Sequence, residues 1–236
     1  MKITFFIADV HLDTRHPEKK DLIISFLNMV CAEKADLYIL GDFFDYWANN
    51  RAVLRDNREV LQLMKDAATQ DSLVCMLIGN RDLLLSQKAL APFGIKFLGE
   101  EAEVTIDGKK IYLTHGHSLC TRDARFQRYK KIAWPVYRVL DAILPGAIEN
   151  YLAGKFILKS KQVIYAQDQS RFQFSEEAIN ACFMNGMDAV ICGHAHKTLI
   201  HKWGEKCFYA LPAWDQGKGG YLLLQNGIFR FNEFPG

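Results

Sequence analysis

Short apolar runs alternate with stretches of helical periodicity along the first hundred residues of this chain. Ile3–Ile7 reads as a buried strand and Asp21–Cys31 as an amphipathic helix. Leu37–Leu40 is a second short apolar run, Arg58–Ala68 has helical spacing, and Leu73–Ile78 is a third run. Continuous apolar runs of strand length, separated by helices, predict an α/β fold. The texture changes after Gly99. Ala102–Ile106 and Lys110–Thr114 flank Asp107-Gly108, a strong hairpin signal. Residues 119 to about 180 read as helical, with Pro145-Gly146 dividing them and Trp134-Pro135 marking a kink or helix boundary. The strand pattern resumes at Ala189–Cys192, followed by short runs at Thr198–His201, Lys206–Ala210, Tyr221–Leu224 and Gly227–Phe231. The predicted architecture is one domain, 1–236, of two packed sheets flanked by helices, with a helical insertion at 119–180.

Composition adds limits to this picture. Hydrophobic residues make up 50% and charged residues 24%, the balance of a globular domain. No run approaches the ~18 apolar residues of a membrane span. The opening Met-Lys-Ile-Thr-Phe-Phe-Ile meets Asp9 too soon for a signal peptide and reads as a first strand. The six cysteines are dispersed with no Cys-x-x-Cys pair. Cys75 and Cys192 lie in apolar runs, so a cytoplasmic chain is expected. The net charge of +2 is unevenly placed. Leu119–Lys161 carries nine basic against three acidic residues, leaving the remainder net acidic. A basic segment suits an anionic partner such as phosphate or an acidic lipid surface, and equally a solvated helical face. A net acidic remainder offers no broad track for a nucleic-acid backbone.

The candidate chemistry sits where apolar runs end. Asp9-Val10-His11 follows the first run, Gly41-Asp42 the second, and Gly79-Asn80-Arg81-Asp82 the third. His115-Gly116-His117 follows the hairpin, and Gly193-His194-Ala195-His196 follows Ala189–Cys192. Loops at the carboxyl ends of strands are where open α/β sheets place their sites. Carboxylate with imidazole suits divalent transition ions. A carboxylate such as Asp42 has two oxygens to share between ions, and Asn80 adds an oxygen ligand without charge. Arg81 can hold a phosphate in bidentate fashion, and Asp82 can orient a neighbouring imidazole. Asp-x-His and Gly-Asp are each common in loop turns; the weight lies in the five segments together. Phe43, Phe44, Tyr46 and Trp47 read as core contacts, with a pocket wall as the alternative. His16 and His201 lack such context, and His117 is close enough in sequence to reach the site.

Taken in order, these segments resemble the calcineurin-like metallophosphoesterase superfamily, with its Asp-x-His, Gly-Asp, Gly-Asn-x-Asp, His and Gly-His-x-His pattern. That resemblance implies a four-layer α/β/β/α sandwich and a two-metal centre, often manganese. It implies that Asp9, His11 and His196 hold one ion, that Asn80, His115 and His194 hold the second, and that Asp42 bridges them. Asn80, Arg81 and His115 are then the catalytic candidates. Arg81 stands where many relatives have a histidine proposed as general acid, so transition-state charge stabilisation is the role expected of it.

The segments Leu40–Trp47, Gly79–Leu84 and His115–Asp123 are further similar to the UDP-2,3-diacylglucosamine diphosphatase branch, which releases 2,3-diacylglucosamine 1-phosphate and UMP in lipid A biosynthesis. This implies a UDP-linked diacylated sugar as partner, met at the cytoplasmic face of the inner membrane. By position, Asn80, Arg81, Asp123, Phe126 and Tyr129 become substrate-contact candidates. The insertion becomes a cap over the site, and its stretch Ile132–Lys161 a candidate for bilayer contact. Two departures bear on substrate: His117 stands where the branch usually has Asp, and Gln162–Gln169 lacks the lysines often found there. A phosphodiesterase of soluble nucleotides and a metal-free scaffold are the competing readings.

Overall fold

The computed structural model describes residues 2–13, 16–47, 51–69, 71–82, 84–120 and 174–235. In chain order the strands are β1 (Thr4–Ile7), β2 (Asp36–Leu40), β3 (Val74–Leu77), β4 (Lys96–Gly99), β5 (Glu101–Ile106), β6 (Lys109–Thr114), β7 (Ala189–Cys192), β8 (Leu199–Trp203), β9 (Lys206–Ala210), β10 (Gly219–Gln225) and β11 (Ile228–Phe234). The helices are α1 (Pro17–Glu33), α2 (Arg51–Asp56), α3 (Arg58–Ala67), α4 (Gln87–Leu90) and α5 (Glu176–Met184). One sheet has the order β11-β10-β1-β2-β3-β4, the other β5-β6-β7-β9-β8.

The short apolar runs become parallel strands because both their faces are covered. Successive side chains on a strand point to opposite faces. Phe5 and Ile7 therefore pack with Phe26, Leu27 and Val30 of α1 and Leu61 and Met64 of α3. Phe6 turns the other way and meets Tyr38, Leu40, Leu113, Ile191 and Leu222 between the two sheets. On the far side, Ile179 and Phe183 of α5 cover Val190, Cys192 and Phe208, together with Leu119. The result is four layers, helix on sheet on sheet on helix, as expected. Each large side chain so buried contributes about 1.5–3 kcal/mol.

Local chemistry sets the ends. Pro17 opens α1, where its fixed φ suits the first helical turn. Lys34, in the left-handed conformation, closes it with a backbone N–H to the Cys31 carbonyl. Asp107 and Gly108 have φ of 49° and 75°, the handedness a two-residue hairpin needs, and they set Ile106 opposite Lys109.

The sequence pattern missed α2, α4 and β4. β4 is a short edge strand of Lys96, Phe97, Leu98 and Gly99 with only partial burial, so it lacks both alternation and a continuous apolar run. The expected insertion, 119–180, lies for most of its length outside the described residues. Asp123, Phe126 and Tyr129 fall there, as do Trp134-Pro135 and Pro145-Gly146. α5 begins inside the span assigned to the insertion, yet its packing on β7 makes it the outer layer of the sandwich. No described helix is long and apolar enough to cross a membrane.

Candidate metal centre

The carboxyl ends of β1, β2 and β3 lie side by side because these strands are parallel neighbours. β6 and β7, also parallel, bring their own ends to the same place from the second sheet. The segment after β1 is zipped to the one after β2. Asp9 N–H donates to the Gly41 carbonyl at 3.2 Å, His11 N–H to Asp42 at 2.9 Å, and Leu12 N–H to Phe43 at 2.8 Å, while Asp45 N–H returns to Leu12 at 3.0 Å. Gly193 N–H donates to the His115 carbonyl at 2.9 Å, and Trp214 N–H to that of Asp9 at 3.1 Å. Within this lattice Asp9, His11, Asp42, His194 and His196 all adopt positive φ, between 49° and 72°. For residues other than glycine this conformation costs free energy and persists only where the surroundings impose it. Here it turns Asp9 and His11, and likewise His194 and His196, inward on alternate residues.

The side chains converge. Asp9, His11 and His196 each offer a ligand atom within 4.8 Å of the others, and so do Asp9, Asp42 and His115. Asp9 is wholly buried; its Oδ2 accepts the His194 backbone N–H at 2.7 Å. Its Oδ1 and the buried Nδ1 of His11 accept from no donor among the described residues. Buried polar atoms are ordinarily satisfied, and two left over in one cluster fit a cation between them. Asp9 Oδ1 lies 3.4 Å from His196 Nε2 and 3.8 Å from His11 Nε2. His115 Nδ1 is 2.9 Å from the Leu40 carbonyl oxygen, which can only accept. That bond protonates Nδ1 and aims Nε2 at Asn80 Oδ1, 2.8 Å away, and at Asp42 Oδ2, 3.6 Å away. The His194 ring stands edge-on to His115 with centroids 5.2 Å apart. Asp9, His11, Asp42, His115 and His196 fall in these two groups; Asn80 and His194 adjoin them through the His115 ring, and Arg81 stands beside Asp42.

The electrostatics suit cation binding. Burial, followed by the nearby Arg81 charge, holds His11 well below the ordinary imidazole value. Burial and then His115 do the same for His194. Both rings are thus neutral, with a lone pair available. Burial pushes the Asp9 carboxyl up, but the imidazoles gathered round it, His196 first and then His115, outweigh that and hold it below the usual carboxylate range. Burial lowers His115, yet Asp42 and Asp9 pull it above its ordinary value.

One role differs from the one the sequence suggested. Among the described residues Asp82 bonds to no imidazole: its Oδ1 accepts Gly79 N–H at 2.6 Å and its Oδ2 accepts Phe43 N–H at 2.9 Å. Burial, then the Asp42 charge, push its carboxyl up to about 7. Arg81 pairs with Asp45 of the second loop, through Nη1 and Oδ1. Its backbone N–H also donates to Asp42 Oδ1 at 2.9 Å. Asp45 is the site residue sequence reasoning passed over; its spacing three residues after Asp42 is the signal that could have flagged it. Phe43, Phe44 and Trp47 are fully buried beneath the loop, core rather than pocket wall. His117 is buried at the rim, its ring 5.7 Å from His115 and 6.3 Å from His194. His16 pairs with Glu18 at the surface and His201 stacks on Trp203, both apart from the cluster.

A family model described as calcineurin-like phosphoesterase matches residues 2–198. A UDP-2,3-diacylglucosamine hydrolase of Photorhabdus laumondii is 31% identical, over 98% of this chain and 99% of its own. One of Haemophilus influenzae is 29% identical over 98% and 99%. Among solved structures, an archaeal phosphodiesterase superposes with a TM-score of 0.51 at 13% identity, covering 98% of this chain and 99% of its own; it bears on the fold alone. With two sheets between helices, ligand-bearing loops at their strand ends and a model match from the first strand past His196, the chain belongs to the calcineurin-like phosphoesterase family of metal-dependent hydrolases.

Proposed function

We propose that the chain is a two-metal hydrolase that cleaves the diphosphate of UDP-2,3-diacylglucosamine to 2,3-diacylglucosamine 1-phosphate and UMP. The observation that carries the metal half of this reading is the cluster of unsatisfied, buried ligand atoms on Asp9 and His11 beside His196, Asp42 and His115. Asp9, His11 and His196 would hold one ion, Asn80, His115 and His194 the other, and Asp42 would serve both. Two divalent ions, manganese by the family's habit, would supply activation of water and neutralisation of phosphoryl charge. The substrate half is supported by full-length similarity to named hydrolases of this lipid.

The protein's own groups have distinct tasks. Asp45 holds the Arg81 guanidinium at the edge of the ligand cluster, where it meets the charge that builds on phosphoryl oxygens. The Leu40 carbonyl fixes the tautomer of His115. Asp123, Phe126 and Tyr129 are proposed to contact substrate from the insertion, which would cap the site on the cytoplasmic face of the inner membrane. Phosphorus NMR on the detergent-dispersed UDP-diacyl sugar tests the reading. UMP release with Mn2+, abolished by chelation and by Asp9→Ala, is expected. Release from soluble nucleotide diesters alone would replace the lipid reading with a general phosphodiesterase.

A further inference from the structure

The loop after β2 and the loop after β3 exchange carboxylates. Asp82, on the third loop, accepts Phe43 N–H of the second at 2.9 Å and Gly79 N–H of its own at 2.6 Å. Asp42, on the second loop, accepts Arg81 N–H of the third at 2.9 Å. The two backbones touch where this happens. A Cβ at Gly41 would lie 2.6 Å from Gly79 N, and one at Gly79 would lie 2.0 Å from Asp42 Oδ1. Asp82 is wholly buried, and among the described residues Arg81, its neighbour, turns to Asp45 and Asp42 instead. A buried carboxylate without a paired cation is unfavourable. Asp82 accepts two buried backbone N–H groups, one from each loop, that an apolar residue would leave unsatisfied. What the carboxylate does is hold two loops, each bearing a ligand candidate, at one separation.

We propose that Asp82 is a positioning residue that sets the distance between Asp42 and Asn80, and so forms the second ion's site before any ion arrives. The proposal rests on the ligand assignment of the preceding section. The reciprocal bonds leave Asp42 Oδ2 facing His115 Nε2, and they hold the Gly79-Asn80 turn that carries Asn80 Oδ1 to the same nitrogen. Asp82→Asn keeps size and one acceptor but presents an NH2 group to a backbone N–H, so one arm of the clasp opens.

Calorimetric titration of the full-length, metal-free protein with Mn2+ alone reads the effect without substrate. Wild type should take two ions. Asp82→Asn should keep the first and weaken the second about 10–100-fold, the usual loss when a ligand's support is removed. Its turnover at low Mn2+ should fall and recover as Mn2+ rises, with KM unchanged, a pattern that general destabilisation would not give. Two ions bound with wild-type affinity by folded Asp82→Asn would overturn the proposal. A second measurement does not depend on the variant folding. In metal-free wild type, the Phe43 and Gly79 amides should exchange hydrogen as slowly as those of β2. Fast exchange there would also overturn it, whatever number of ions binds. Loss of ion binding in wild type would count against the ligand set, and failure to hydrolyse the lipid against the substrate alone; the amide measurement decides the clasp in either case.

Discussion

Asp9 is the residue on which most of the centre turns. One of its oxygens is spent on the His194 backbone, and the other is left for a cation and faces His196 and His11. Asp9→Ala removes both functions. The expected outcome is loss of the first ion in elemental analysis and a fall in turnover of at least about 100-fold, since even outer supports of a ligand are worth 10–100-fold. Arg81→Ala separates chemistry from ion binding. It should lower kcat/KM by about 100- to 1000-fold, the scale of one lost charge-stabilising donor, while ion stoichiometry stays at the wild-type value. Arg81→Lys should recover little, because a point charge cannot reproduce the planar fork that Asp45 holds. Activity of either variant within threefold of wild type would remove Arg81 from the reaction.

The loops that carry these residues are built on close backbone approach, which gives glycine its place at Gly193 and Gly79. A Cβ on Gly193 would lie 2.5 Å from both the Ala8 Cβ and Asp9 Oδ2. Gly193→Ala is expected to cost about 1–3 kcal/mol by overpacking and to displace the Asp9 carboxylate. Denaturant unfolding should show the first loss and Mn2+ titration the second. Most of this architecture was legible in the sequence because its strands are short, continuous apolar runs that stop at ligands: Ile3–Ile7 before Asp9, Ala189–Cys192 before His194. β4, α2 and α4 were not, since edge strands and short helices bury too little to impose a period. Asp45 and Asp82 show where residue-level reading stops. Both were visible as carboxylates near ligands, but their partners lie on other segments, 36 and 39 residues away for Arg81 and Phe43. Pairings over that distance depend on the register of β2 against β3, which no local pattern encodes.

At the scale of the molecule, the centre stitches two sheets together: β1, β2 and β3 supply one set of ends, β6 and β7 the other. Removing the ions should therefore lower the stability of the whole sandwich. At ion concentrations of 100 Kd the linkage is about 2.7 kcal/mol for each ion, or about 5–10 °C per ion for a domain of this size, read by calorimetry with and without chelator. The same linkage runs through protons. His115 is held above its ordinary value by Asp42 and Asp9, so its proton favours the metal-free fold below about pH 6.5 and that contribution is lost as pH rises through the higher folded-state value. An ion must displace that proton. Affinity should fall as pH drops, and titrations in buffers of different ionisation enthalpy should register proton release on binding. The left-handed backbone at Asp9, His11, Asp42, His194 and His196 has a consequence for anyone who would move this chemistry elsewhere. Grafting the seven side chains onto ordinary strand ends would keep alternate ligands on one face but lose the turns that bring the segments together. The transferable unit is the interlocked set of turns, and a scaffold that cannot supply five left-handed backbone conformations at those positions will carry the right residues and bind no pair of ions.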